Sequence, residues 1–367
     1  MVMIDTKRNY GVDLLRVVSM IMVPILHVLG HGGILNNAQV LLPSYEMAYL
    51  LETLAYCATN CYALISGYVG YTSKFRYSKI FLLYLQVAFY TVISTAAVCF
   101  IDPGFLTAKN IIYAVFPIAN NTYWYFTSYF CMFFFIPFFN TAVEKAPRAV
   151  LGKLILTLFC VFSILPAIFR YDIATLANGY SALWLGVLYI MGAYIKKYDI
   201  GGSLKKSTKL TGYLVCVVLT WAVKFIVEFI GRGETLMGIS YTSPTIVLCA
   251  VFLLMYFAKL KPGRFWTGFA KFFAPVSFGV YLIHENPAVK GAFIENRFTG
   301  YLKFNPVVMA ALVIATAIVI WFVCSLIDRV RFELFRLLKV GRLCSKAEEK
   351  TKSAVLRLNG RVKNSRA

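Results

Sequence analysis

The chain has 367 residues, 60% of them hydrophobic and 14% charged, with a mean hydropathy of +0.71. Soluble domains hold roughly 45–50% apolar residues and about 25% charge on their surfaces, so an ordinary cytosolic enzyme is excluded. The net charge of +21 falls in short clusters between apolar runs and in a tail, the pattern of cytoplasmic loops rather than of a nucleic-acid surface.

A transmembrane helix takes about 20 residues, so the composition has room for about ten. The strands of an outer-membrane barrel are less hydrophobic per segment, which argues against that class. The first apolar run, about 12–33, follows Lys7 and Arg8 but carries Arg16, Pro24, His27 and His31 and has no clean cleavage site. It reads as a retained first span rather than a signal peptide. Further spans are predicted at about 47–71, 79–100, 122–141, 150–169, 179–196, 211–230, 242–260, 267–284 and 305–328. The stretch 111–119 reads as a re-entrant or interfacial piece. The fold class expected is all-α, a bundle of about ten spans enclosing a polar cavity.

Charge counting tests this topology. With the N-terminus in the cytoplasm, 29 Lys and Arg fall in the inside segments and six in the outside ones. That asymmetry places both termini inside. The domain layout is then a membrane domain over 10–330 and a basic cytoplasmic tail over 339–367, with nine basic and two acidic residues. The tail suits contact with anionic lipid headgroups, or simply solvation. The longest exterior loops are about 101–121 and 285–304. Eight of the nine Cys lie in apolar runs without metal-ligand spacing, and there are only three His. They read as small buried hydrophobes, and no metal site is expected.

Polar groups inside spans are costly and are functional candidates. Eleven residues separate Arg16 from His27, about 16 Å along a helix and within about 20° of the same face. His31 lies one turn further on, and Asp13 is on the same side. A guanidinium near the cytoplasmic surface can hold a phosphate, with Asp13 beside it as its partner. An imidazole about 16 Å deeper can act as general base on a hydroxyl. A donor with a charged head and a long thin arm would bridge the two, as coenzyme A thioesters do; a phosphate-bearing lipid-linked donor fits as well.

These residues carry a family resemblance. The stretch GVDLLRVVSMIMVPILH resembles the first-span motif of the membrane acyltransferase 3 family, in which an Arg and a His stand ten residues apart, and Arg16 and His27 match that pair. Gly11, Asp13 and Leu15 fit too. CYALISGYVG resembles the second-span stretch, so Ser66 and Gly67 match its Ser-Gly. Tyr123–Phe126 resembles the aromatic start of another span, and SFGVYLIH, Ser277 to His284, is similar to a late stretch of nearly that wording. Ser19 and Cys57 replace the usual Ala and Phe without a change of charge. The resemblance covers residues 10 to about 330.

It implies a multi-pass O-acyltransferase; the location expected is a bacterial plasma membrane. The activity implied is transfer of an acyl group, commonly acetyl from acetyl-CoA, to a hydroxyl of a surface carbohydrate. Acceptors in the family include exopolysaccharide, O-antigen, peptidoglycan and small glycosides. Some relatives add a soluble esterase-like domain. None is evident here, so the chain completes the transfer itself or a separate extracytoplasmic transferase does. His27 and Arg16 are the implied catalytic pair.

Other residues have readings both in a site and in structure. His284, followed by Glu285, is a second imidazole or an acceptor contact, or an interfacial residue. Ser66 and Gly67 line a site or permit close helix packing. Trp124 and Tyr125 stack on a sugar or belong to an interfacial belt. Arg170 and Asp172 stand where an acceptor would arrive. Lys224 and Glu228, four apart, form an internal salt bridge. The rival functions are a carbohydrate transporter without catalysis and a membrane sensor.

Overall fold

The computed structural model describes residues 8–231 and 239–364. Lys7, Arg232 and Arg366 of the charge count lie outside the described residues. Among the described residues all regular structure is helical. The first span is α1 (Tyr10–Leu29), extended by a one-turn α2 (Ile34–Asn37). The segment expected at 47–71 is split into α3 (Pro43–Tyr56) and α4 (Ala58–Gly70), with the break at Cys57. Then come α5 (Tyr77–Ile101) and a short α6 (Ala108–Val115) that overlaps the first half of the expected re-entrant piece.

The segment at 122–141 is α7 (Trp124–Phe133) and α8 (Ile136–Lys145), bent by 57°. Pro137 explains the break, because its ring cannot continue a helix arriving from α7. α9 (Arg148–Phe159) runs through a π-helical turn into α10 (Leu165–Phe169). α11 (Ala182–Tyr198), α12 (Lys206–Phe229) and α13 (Pro244–Ala258) match three expected segments. The segment at 267–284 is α14 (Arg264–Phe273) and α15 (Ser277–His284), interrupted at Pro275. α16 (Pro287–Phe293) precedes the long α17 (Pro306–Leu337) and the tail helix α18 (Val340–Asn364).

Five of these helices are long and apolar enough to cross a membrane, and up to six if the bent pair α7–α8 counts as one. The bundle has an apolar core like a soluble protein, but its outer surface is apolar too. Large apolar side chains such as Phe100, Ile101 and Phe138 are 90%, 84% and 73% exposed, as expected for a surface solvated by lipid. α1 is the central helix, packed against α3, α4, α13, α14, α15 and α17. Some 61% of its apolar window is buried, against 17–28% for the other long helices. A helix buried on most sides is where polar side chains can be held away from lipid.

α4 and α11 meet with their backbones in contact. A Cβ on Gly67 would collide with the Tyr189 carbonyl, so this half of the Ser-Gly pair serves close packing. Gly67→Val is expected to cost about 1–3 kcal/mol through overpacking, read as a lower Tm of the purified protein. The tail is helical in its described part and docks on α5. The Glu348 carboxylate accepts hydrogen bonds from the Tyr77 and Ser78 amides (3.3 and 3.1 Å). The hydrogen bond from Lys352, with others from Ser78, holds the Glu348 carboxyl down to about 2. It therefore stays charged at the N-terminus of α5, where a negative charge is favourable.

Candidate active site

Asn9 caps α1, accepting from the Val12 amide (3.2 Å) and donating to the Ala258 carbonyl (2.9 Å) at the end of α13. Gly11 allows the next close approach, since a Cβ there would meet the Phe257 carbonyl. The start of α1 is thereby pinned, and with it Asp13 and Arg16. Arg16 Nη1 lies 2.7 Å from Asp13 Oδ1, and Arg8 Nε lies 2.6 Å from Oδ2. Both carboxylate oxygens of Asp13 are occupied by guanidiniums, so Asp13 orients Arg16 rather than meeting an anionic ligand directly.

Arg16 lines a cavity of about 170 Å³ with Ser66, Tyr62, Tyr125, Tyr129 and Phe278. His27 lines a narrower one of about 40 Å³ with Trp124, Tyr241, Tyr281 and again Tyr62, Tyr125 and Phe278. Those three shared side chains are the wall between the two spaces. Tyr62 is fixed by its hydrogen bond to the Arg16 carbonyl (2.7 Å). α1 runs unbroken through Pro24, so Arg16 and His27 stand on one rigid rod with an aromatic constriction between them.

At the His27 end, α15 delivers a second imidazole. His27 Nδ1 is 2.8 Å from His284 Nε2 and 3.1 Å from Glu285 Oε2. His284 Nδ1 is 2.5 Å from the Val280 carbonyl, which can only accept. Nδ1 of His284 therefore carries its proton, its Nε2 accepts, and the proton on His27 sits on Nδ1. This tautomer follows from the hydrogen-bond network. It leaves His27 Nε2 as the unprotonated, basic nitrogen. Glu285 also approaches His31 Nε2 (3.6 Å) and is paired with Lys290 (2.7 Å). An imidazole backed by a carboxylate is the general-base arrangement of hydrolytic triads.

The same donors have a second geometric reading. Atoms of His27, His31 and Glu285 lie within 4.8 Å of one another, a set able to hold a divalent cation that the sequence did not suggest. In the structure Nδ1 of His27 already faces His284, and the other Glu285 oxygen faces Lys290.

Of the residues singled out from sequence, Arg16, His27, Ser66, Trp124, Tyr125 and His284 line the two cavities or their His–Glu cluster, with His31 at the rim. Arg170 does not join them. It is exposed, in the left-handed region (φ 57°), and terminates α10. Lys224 and Glu228 form the expected salt bridge (2.7 Å), with Glu46 3.6 Å away. The rings of Tyr45 and Tyr49 stack on the ammonium, and the cluster borders a separate cavity of about 520 Å³. The sequence reading missed Tyr62, Lys290 and Tyr281. The Tyr281 hydroxyl is buried and donates to no acceptor among the described residues, while its side chain faces the His27 cavity.

A basic imidazole in a helical bundle, with a half-buried guanidinium on the far side of one aromatic wall, is suited to acyl transfer from an extended donor. A family model described as an acyltransferase domain matches residues 9–326. The chain belongs to the acyltransferase 3 family. No curated protein and no solved structure matches the chain. Membership implies an acyltransferase, and the apolar helices make it a membrane acyltransferase. The matched region begins at Asn9, the cap that positions the family's Arg–His pair, and ends within α17.

Proposed function

We propose that the protein is an O-acyltransferase of the bacterial plasma membrane that moves acetyl from cytoplasmic acetyl-CoA to a hydroxyl of an extracytoplasmic carbohydrate. Exopolysaccharide, O-antigen, peptidoglycan and small glycosides are the acceptor classes in view. The observation that carries this reading is the shared wall of the Arg16 and His27 cavities. It sets a cation able to hold a phosphate and a general base on either side of one aromatic layer. The matching topology is ten spans, some of them broken, with both ends cytoplasmic. The membrane domain is 10–330, and the tail, 339–367, lies against anionic lipid.

In the simplest course His27 Nε2 takes the proton of the acceptor hydroxyl as its oxygen attacks the thioester carbonyl. The C–S bond then breaks, and the CoA sulfur leaves with the proton that His27 returns. Glu285 stabilises the imidazolium formed in between. Attack by His27 Nε2 itself, giving an acyl-histidine before transfer to the acceptor, uses the same geometry. The tetrahedral oxygen needs a donor, and the unengaged Tyr281 hydroxyl in the His27 cavity is suited to that role.

Removing one oxyanion donor typically costs about 10²–10³ in kcat. Tyr281→Phe is therefore expected to lower kcat by that order, with the donor KM little changed. The measurement is transfer of radiolabelled acetyl to glycan by membranes containing matched amounts of each protein. A Tyr281→Phe protein with wild-type kcat would remove Tyr281 from the mechanism. Wild-type membranes that transport a labelled saccharide but never acylate it would favour the transporter reading instead.

A further inference from the structure

The two longest exterior loops meet over the last turns of α5. Thr91 donates to the Ala114 carbonyl (2.5 Å) and Tyr84 to the Val115 carbonyl (2.6 Å), so α6 is held against α5 as a wall. Between this wall and the start of α16 is a cavity of about 350 Å³, within the range of about 300–1,000 Å³ usual for small-molecule sites. Its polar lining is hydroxyl and amide: Ser94, Thr95, Asn110, Asn120, Thr122 and Asn286. No charged residue lines it, in a chain whose net charge is +21. Phe105 and Tyr113 add two aromatic rings.

The inner side of this basin is continuous with the catalytic segment. Asn286 is 3% exposed and directly follows His284 and Glu285. Its amide donates to Ser94 Oγ (2.9 Å) and to Tyr123 Oη (3.0 Å), and Tyr123 donates to the Leu282 carbonyl (2.8 Å). A ligand held in the basin would thus lie against the chain that carries the second imidazole and the carboxylate.

We propose that this basin is the acceptor subsite and that it takes a neutral sugar unit. The proposal rests on the acyltransferase reading and names where its acceptor sits. Hydroxyls and amides can both donate and accept, which matches a ring of hydroxyls, and the two aromatic rings offer flat surface to the apolar face of a pyranose. A charged ligand would be desolvated there without a counter-ion, at considerable cost.

The test is saccharide binding, read separately from catalysis. Protein in lipid nanodiscs is titrated with the neutral disaccharides cellobiose, N,N′-diacetylchitobiose and lactose, and with glucuronic acid, by saturation-transfer NMR. Wild type is expected to bind at least one neutral disaccharide saturably and more tightly than glucuronic acid. Thr95→Phe, which fills the basin, and Asn110→Ala, which removes an amide without adding bulk, are each expected to weaken that binding about tenfold or more. Val223→Phe, in the separate cavity beside Lys224, is expected to leave it unchanged. Undiminished binding in both basin variants, loss in Val223→Phe alone, or no saturable binding to wild type would overturn the proposal. Intact disaccharide binding by a protein that never transfers acetyl would instead count against the acyltransferase reading.

Discussion

His27→Ala is expected to lower acetyl transfer by about 10²–10⁴-fold, the range that a positioned general acid–base contributes. The loss should appear in kcat, because the side chain acts on the proton rather than on the donor's charged head. The partners of His27 make the prediction sharper. His284 accepts the Nδ1 proton at 2.8 Å and Glu285 approaches the same nitrogen at 3.1 Å. His284→Ala removes one orienting contact and leaves the carboxylate, and Glu285→Gln keeps a hydrogen-bonding group but deletes the charge that stabilises the imidazolium. Each should cost less than the loss of His27. In the double variant with His27→Ala neither should add its full effect, since residues acting as a unit are not additive. Steady-state kinetics on the three single variants and the two doubles measures this. Full additivity would separate His284 and Glu285 from the base.

Arg16→Ala is expected to act on the other end of the donor. A hydrogen bond to a charged group is worth roughly 1.5–3 kcal/mol, which corresponds to an increase in KM for acetyl-CoA of about 10–100-fold. The kcat at saturating donor should fall much less. Arg16→Lys keeps the charge but loses the planar fork, so it should recover part of the affinity and not all of it. Asp13 contributes indirectly. With both its oxygens engaged by Arg8 and Arg16, Asp13→Asn frees the guanidinium to swing and should raise KM by a smaller factor. A donor lacking the phosphates should show little difference between wild type and Arg16→Ala. An Arg16→Ala protein with unchanged KM but lost kcat would move Arg16 from donor binding to the chemistry.

The Arg16–His27 pairing was legible because it is local. Both residues lie on one helix, and the 3.6-residue period alone puts them on one face. The pairing of His27 with His284 was not legible, because 257 residues separate them and only the packing of α15 on α1 brings them together. Glu285 carried a weak signal, a carboxylate directly after a histidine at the end of an apolar run. Tyr281 and Tyr62 lie inside the stretches SFGVYLIH and CYALISGYVG, but nothing marked them individually, since a tyrosine in an aromatic-rich apolar segment looks like any other core residue. The apolar segments were all found as helix. Their breaks were missed even though Pro137 and Pro275 marked two of them, because hydropathy averaged over a window does not register a single missing amide. The break at Cys57 has no such marker. Both of the helices it separates, α3 and α4, pack against α1.

The central claim is that the first-span imidazole transfers an acyl group from a donor held by the first-span guanidinium. It is tested most directly with membranes containing wild type, His27→Ala or Arg16→Ala at matched expression, supplied with radiolabelled acetyl-CoA across a range of concentrations. Wild type is expected to place label in glycan, His27→Ala none above background, and Arg16→Ala to recover at high donor concentration. Equal labelling by all three proteins would contradict the central claim.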